Sequence, residues 1–473
     1  MKPSDTDPGR GPAFALLVLG GIALFGNGLK SIVSSSVLMS ETQFAGFLRI
    51  PVERTGLLME GIIAGMVIAL AVCPILLQRY SPRSLGIVAS AIAAIAFASF
   101  GLVDIAAPGE RQREVAVFVC LTLGAGALAC LAPASQSSIA GAVIATAARG
   151  PVTTVWTGAA PAGFLVAPQL VKYVLPLLGL GGYFLAFSLL PMLVLVLFVG
   201  IVHLQSSVDT TRPAVAKLPT YVLASFVAVI AAFELWSTLG PLVGYLKPMT
   251  MASLALLALA IAMLVHSSCD DALPADALGN SAWLLAALFL LQLPTTGFFD
   301  TAYLFRYLSD EAFIADRSTL AAASQVSGTF LMGALAHRRP GHERRWLLIA
   351  TVITLAGVLS ICVYPWMGVN RAYFLWTPAL QGFGTGALTA LLVLAVMRDA
   401  VRHPILAALP SLAIMFGTEF GLEILELVFA AGKGAGQAIP AAYQTLFTAQ
   451  ALLALTVPIA VLIASRRELP ASA

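Results

Sequence analysis

Glu419, Glu423 and Glu426 stand four and three residues apart in an otherwise apolar stretch. At about 100° per residue, these spacings put all three carboxylates within roughly 60° on one helix face. An ionisable side chain at membrane depth costs about 2.5–3.5 kcal/mol on insertion scales, so three kept together point to a use. Repulsion in a low dielectric prevents all three from being ionised at once, which suits reversible proton binding. The plain alternative is that one or two reach the headgroups or pair with a neighbouring cation. Asp300, the acid well inside another apolar stretch, joins them as a proton-coupling candidate.

Lys30 is the candidate counter-charge. It shares a helical face with Asn27, Ser31 and Ser34, so Asn27, Lys30 and Ser34 read as a substrate-binding stripe. Gln292 and Thr296 form a comparable stripe with Asp300. Lys30 could instead snorkel outward. Glu234, in the middle of a further apolar stretch, has no role that its neighbours define. His203, His266, His337, His342 and His403 all map to the ends of apolar stretches, where an interfacial position explains them better than a proton relay.

The elements that must hold these groups are membrane helices. Hydrophobic residues make up 59% of the 473 and charged residues 10%, with a mean hydropathy of +0.93. A soluble globule carries about 25% charged residues, so the chain is polytopic. Apolar runs of roughly 18–27 residues, each able to cross about 30 Å of hydrocarbon, fall near 13–39, 56–77, 84–104, 115–143, 152–176 and 183–203. Two more lie near 220–245 and 249–266, and a second six near 281–308, 318–336, 346–366, 372–397, 404–431 and 440–464.

This predicts an all-α fold of fourteen spans in three parts: a six-helix bundle over 1–204, a connector with an extra hairpin over 205–280, and a second six-helix bundle over 281–473. With the N-terminus inside, fifteen Lys and Arg fall on the cytoplasmic side and nine on the other, Arg306 and Arg317 among the nine. The bias puts both termini in the cytoplasm. It also accounts for the net charge of +3 without nucleic-acid binding. The long first apolar stretch has no small-residue cleavage site and reads as a retained helix.

The chain is also written twice. Glu53-Arg54-Thr55 with Gly65 is echoed by Asp316-Arg317-Ser318 with Gly328, and Gly124-Ala125-Gly126 by Gly382-Phe383-Gly384-Thr385-Gly386. The offset is roughly 260 residues, as parallel repeats about an axis along the membrane normal require. Gly333-Ala334-Leu335-Ala336-His337-Arg338 resembles the Gly-x-Leu-Ala-Asp-Arg loop of the major facilitator superfamily, with His337 where the family has Asp. Its first-half copy contains Gln78, Arg79 and Arg83. Gln381-Gly382-Phe383-Gly384 is similar to the tail of the family's Arg-x-x-Gln-Gly-x-Gly signature.

The resemblance implies two six-helix halves rocking around a midplane site, with Gln381 on the substrate path and Arg79, Arg83, His337 and Arg338 in gating loops. The extra hairpin resembles the fourteen-helix drug:proton antiporter branch, though that branch's first-helix Asp-x-Thr signature is replaced by Gly26-Asn27-Gly28-Leu29-Lys30.

The expected function is a proton-coupled secondary transporter in the plasma membrane, the inner membrane of a bacterium, exporting a small amphipathic compound. The alternatives are a proton-coupled symporter for a small organic anion and a non-transporting membrane scaffold or sensor. The expected partners are a small-molecule substrate, protons and lipid; a periplasmic adaptor is compatible with export. No Gly-x-x-x-x-Gly-Lys-Ser/Thr loop occurs, so ATP-driven pumping and enzyme activity are not expected. Five cysteines without a Cys-x-x-Cys pair predict no disulfide framework, no metal and no cofactor.

Overall fold

A computed structural model supplies the coordinates. It describes residues 10–51, 55–106, 109–141, 146–205, 247–269, 281–295, 298–308, 311–368, 370–400 and 404–467, with a few positions between 225 and 239. Among the described residues there is no strand. In hydrocarbon a backbone must satisfy its own hydrogen bonds, and the helix is how a single segment does so.

The first half contains α1 (Arg10–Met39), α2 (Glu41–Leu48), α3 (Gly56–Arg79), α4 (Pro82–Ala106), α5 (Glu110–Gly141), α6 (Thr146–Gln169), α7 (Leu175–Phe187) and α8 (Leu189–Gln205). A π-helical turn, Leu170–Val174, joins α6 to α7. Gly179, at φ 66°, ψ 172°, breaks the apolar run 150–200 into the two spans expected there. Of the connector, α9 (Pro248–Cys269) is described; most of 220–245, with Glu234, lies outside the described residues.

The second half contains α10 (Ala282–Thr295), α11 (Phe298–Leu308), α12 (Glu311–Arg338), α13 (Glu343–Cys362), α14 (Tyr364–Met367), α15 (Arg371–Ala400), α16 (Leu409–Gly434), α17 (Ile439–Ala454) and α18 (Thr456–Arg467). Each expected span other than 220–245 falls on described helical residues, several of them on two consecutive elements. By length and composition, nine stretches among the described residues suffice to cross a membrane.

The duplication has a physical basis in helix packing. A Cβ on Gly65 of α3 would stand 2.5 Å from the carbonyl oxygen of Thr122 on α5, and a Cβ on Gly328 of α12 would stand 2.1 Å from that of Phe383 on α15. Both glycines let two backbones touch, which is how helices associate where lipid supplies no hydrophobic drive. Gly328→Val is therefore expected to destabilise the protein by about 3 kcal/mol or more. A thermal melt of the purified variant in detergent checks this, and an unchanged midpoint would show that the α12–α15 contact is loose.

The halves meet through α6 and α12, α3 and α16, and the inner ends of α5 and α15. Gly158 of α6 lies against Phe330 of α12, Gly333 of α12 against Thr154 of α6, and Gly150 beside His337. Met415 and Phe416 of α16 pack with Ile63 and Val67 of α3. These contacts run from the middle of the bundle to the end that carries Gly141, Thr146 and Arg338. From the connector, Phe233 stacks on Phe420 of α16 with ring centroids 3.9 Å apart.

Candidate functional site

Three glycines fix how α1 is turned. Gly26 abuts Ser135 of α5, Gly28 abuts Ala159 of α6, and Gly21 abuts Leu197 of α8. By helical spacing, Asn27, Lys30 and Ser34 occupy the arc between the α5 and α6 contacts, away from α8. Both α5 and α6 pack on the second half, so this arc is turned toward the second half. Asn27 is buried, donates from Nδ2 to the carbonyl of Trp156 at 2.8 Å, and leaves Oδ1 without a partner. Ser34 donates to the carbonyl of Lys30 at 3.0 Å.

Lys30 is half-buried, and among the described residues its ammonium has no ion-pair partner.

On α16, Gly417 and Gly421 press against Phe289, Gln292 and Leu293 of α10. The opposite side carries Met415 and Phe416 onto α3. Glu419, Glu423 and Glu426 continue that same side at steps of four and seven residues. All three are half-buried. The carboxylates and Lys30 thus belong to opposite halves, each on a side turned toward the other half.

Asp300 is held differently. Its carboxylate pairs with Arg317 of α12, and both side chains are only 3% exposed. Arg317 also donates to the carbonyl of Phe374 at 3.2 Å, to Thr301 Oγ1 at 3.4 Å and to Tyr364 Oη at 3.4 Å. Asp300 Oδ1 accepts the backbone N–H of Thr301 at 2.9 Å, in the first turn of α11 where the helix dipole favours an anion. Tyr364 and Phe374, which touch Arg317, belong to a buried aromatic cluster with Tyr303, Tyr443 and Phe447. Arg317, expected near the outer surface, is instead 2% exposed, because its partner sits one helix away across α11 and α12.

Side-chain amides from two other helices reach carbonyls near the described end of α10. Gln381 Nε2 of α15 donates to the carbonyl of Thr295 at 3.3 Å, and Gln450 Nε2 of α17 to that of Pro294 at 2.7 Å. Gln381, expected on the substrate path, thus ties α15 to α10. Gln292 is half-buried against Gly417, and Thr296 lies outside the described residues.

At the opposite end, Arg83 donates from Nε to the carbonyl of Phe198 at 3.3 Å, tying α4 to α8. Arg79, His337 and Arg338 are exposed. An ion pair not anticipated from sequence joins Arg398 of α15 to Glu343 of α13 at 2.6 Å.

No family model matches the chain, and no curated protein does. Solved structures do. The human organic anion transporter MFSD10 (TETRAN) aligns over 96% of this chain and 100% of its own at 16% identity, TM-score 0.64. The proton:xylose symporter XylE aligns over 95% of each chain at 13% identity, TM-score 0.62. A bacterial homologue of the iron transporter ferroportin, in an outward-facing state, aligns over 95% of this chain and 100% of its own at 15% identity, TM-score 0.60. The chain has the major facilitator fold.

Proposed function

We propose that the protein is a proton-coupled secondary transporter that moves a small amphipathic organic anion across the plasma membrane by alternating access. Lys30 carries the reading. A cation at membrane depth is costly unless paired, and this one has no protein partner among the described residues. A substrate carboxylate would supply the partner, and the orphan Oδ1 of Asn27, one turn away, would accept a hydroxyl or amine proton from the same molecule. The structural likeness to MFSD10, an organic anion transporter, supports this class of substrate.

Glu419, Glu423 and Glu426 would take up and release the coupling protons. The excess of Lys and Arg on one side supports cytoplasmic termini. We take export as the direction, on the resemblance of the extra hairpin to the drug:proton branch. Uptake by symport is the second reading, supported by Lys30 and the carboxylates flanking the same space between the halves. XylE, a proton:xylose symporter, is a solved case of that coupling mode.

Glu423→Gln tests the coupling. In proteoliposomes the variant is expected to lose accumulation driven by a pH gradient while keeping substrate exchange at equal pH on both sides. Accumulation at the wild-type rate would take Glu423 out of proton handling.

A further inference from the structure

A cavity of about 350 Å³ lies between the halves at the end where they are closed. Ile139 of α5 and Thr153 of α6 contribute from the first half; His337 of α12, with Leu394, Met397 and Arg398 of α15, contributes from the second. The volume falls within the range of small-ligand pockets, about 300–1,000 Å³. Its walls are mostly apolar, and its rim holds two nitrogen bases. Arg398 gives one N–H to Glu343, which leaves the other donors of its guanidinium fork free for an anion. Gln136 lies one turn deeper on the face that Ile139 and Ala140 give to the cavity. It is fully buried with neither amide atom hydrogen-bonded, so the first layer behind the cavity holds an unmet donor and acceptor.

We propose that this cavity is a second ligand site, distinct from the Lys30 arc, for a small carboxylate with an apolar body. Its carboxylate meets Arg398 and His337 at the rim, and its body lies on Ile139, Leu394 and Met397. Because both halves form the walls, the site exists only while this end is shut. The ligand therefore favours that state by as much as it binds. The proposal stands whether or not the chain transports organic anions, since it uses none of the residues assigned to substrate or proton binding.

The test uses the full-length protein in detergent with 4-phenylbutyrate as probe, read by calorimetric titration. Gly150 lines the cavity and has room for a Cβ, which would meet only His337 Nδ1 at 3.5 Å. A saturable component is expected that is weakened about tenfold or more by Gly150→Leu and by Arg398→Gln and that remains in Lys30→Ala, where any binding at the Lys30 arc is removed. No saturable binding, binding indifferent to both cavity variants, or loss of all binding with Lys30→Ala would each overturn the proposal.

Discussion

Arg317→Leu is expected to destabilise the protein by about 3–5 kcal/mol, the cost of leaving a buried carboxylate without its cation. Asp300 and Arg317 are each 2% exposed, so solvent does little to relieve the orphaned charge. The double variant Asp300→Leu with Arg317→Leu is expected to recover most of that loss, since two apolar groups replace two charges. Thermal melts of the two single variants and the double give the coupling energy directly. The double variant also separates two roles for Asp300. If the pair only holds α11 to α12 and α15, gradient-driven transport survives in the double. If Asp300 carries a coupling proton, transport fails even in a stable protein.

Lys30→Ala is expected to weaken substrate binding about 100-fold or more, roughly 3 kcal/mol, through loss of the charge partner the site offers an anion. The same change should leave stability unchanged or higher, because an unpaired, half-desolvated cation is removed. Loss of binding with a gain in melting temperature is a signature that a misfolded variant cannot give. A drop in stability together with binding would instead make Lys30 a packing residue.

Much of the architecture could be read from hydropathy alone, because a run of apolar residues long enough to cross a bilayer has few other uses. The repeat was also legible, since Gly65 and Gly328 mark the same helix crossing in each half and no larger residue fits there. The face shared by Glu419, Glu423 and Glu426 follows from spacing. What spacing could not show is which charges find partners. Asp300 and Arg317 are seventeen residues apart across a helix break, and Arg317 ends a polar stretch, Ser309 to Arg317, that reads as a loop. Gln381 and Gln450 donate to carbonyls of a helix far away in sequence. Pro294 inside that helix was a usable signal, since a proline in a bundle helix can leave carbonyls in need of donors.

Transport of the proposed kind rests on coupling between an anion bound at Lys30 and a proton held on the opposite half. Its most direct test is substrate flux in proteoliposomes, across a panel of small organic anions, with the pH gradient imposed in one sense and then reversed. We expect at least one anion whose net flux reverses with the gradient and whose gradient-driven flux vanishes in Lys30→Ala. Flux that ignores the sign of the gradient, or persists unchanged without Lys30, would contradict this coupling.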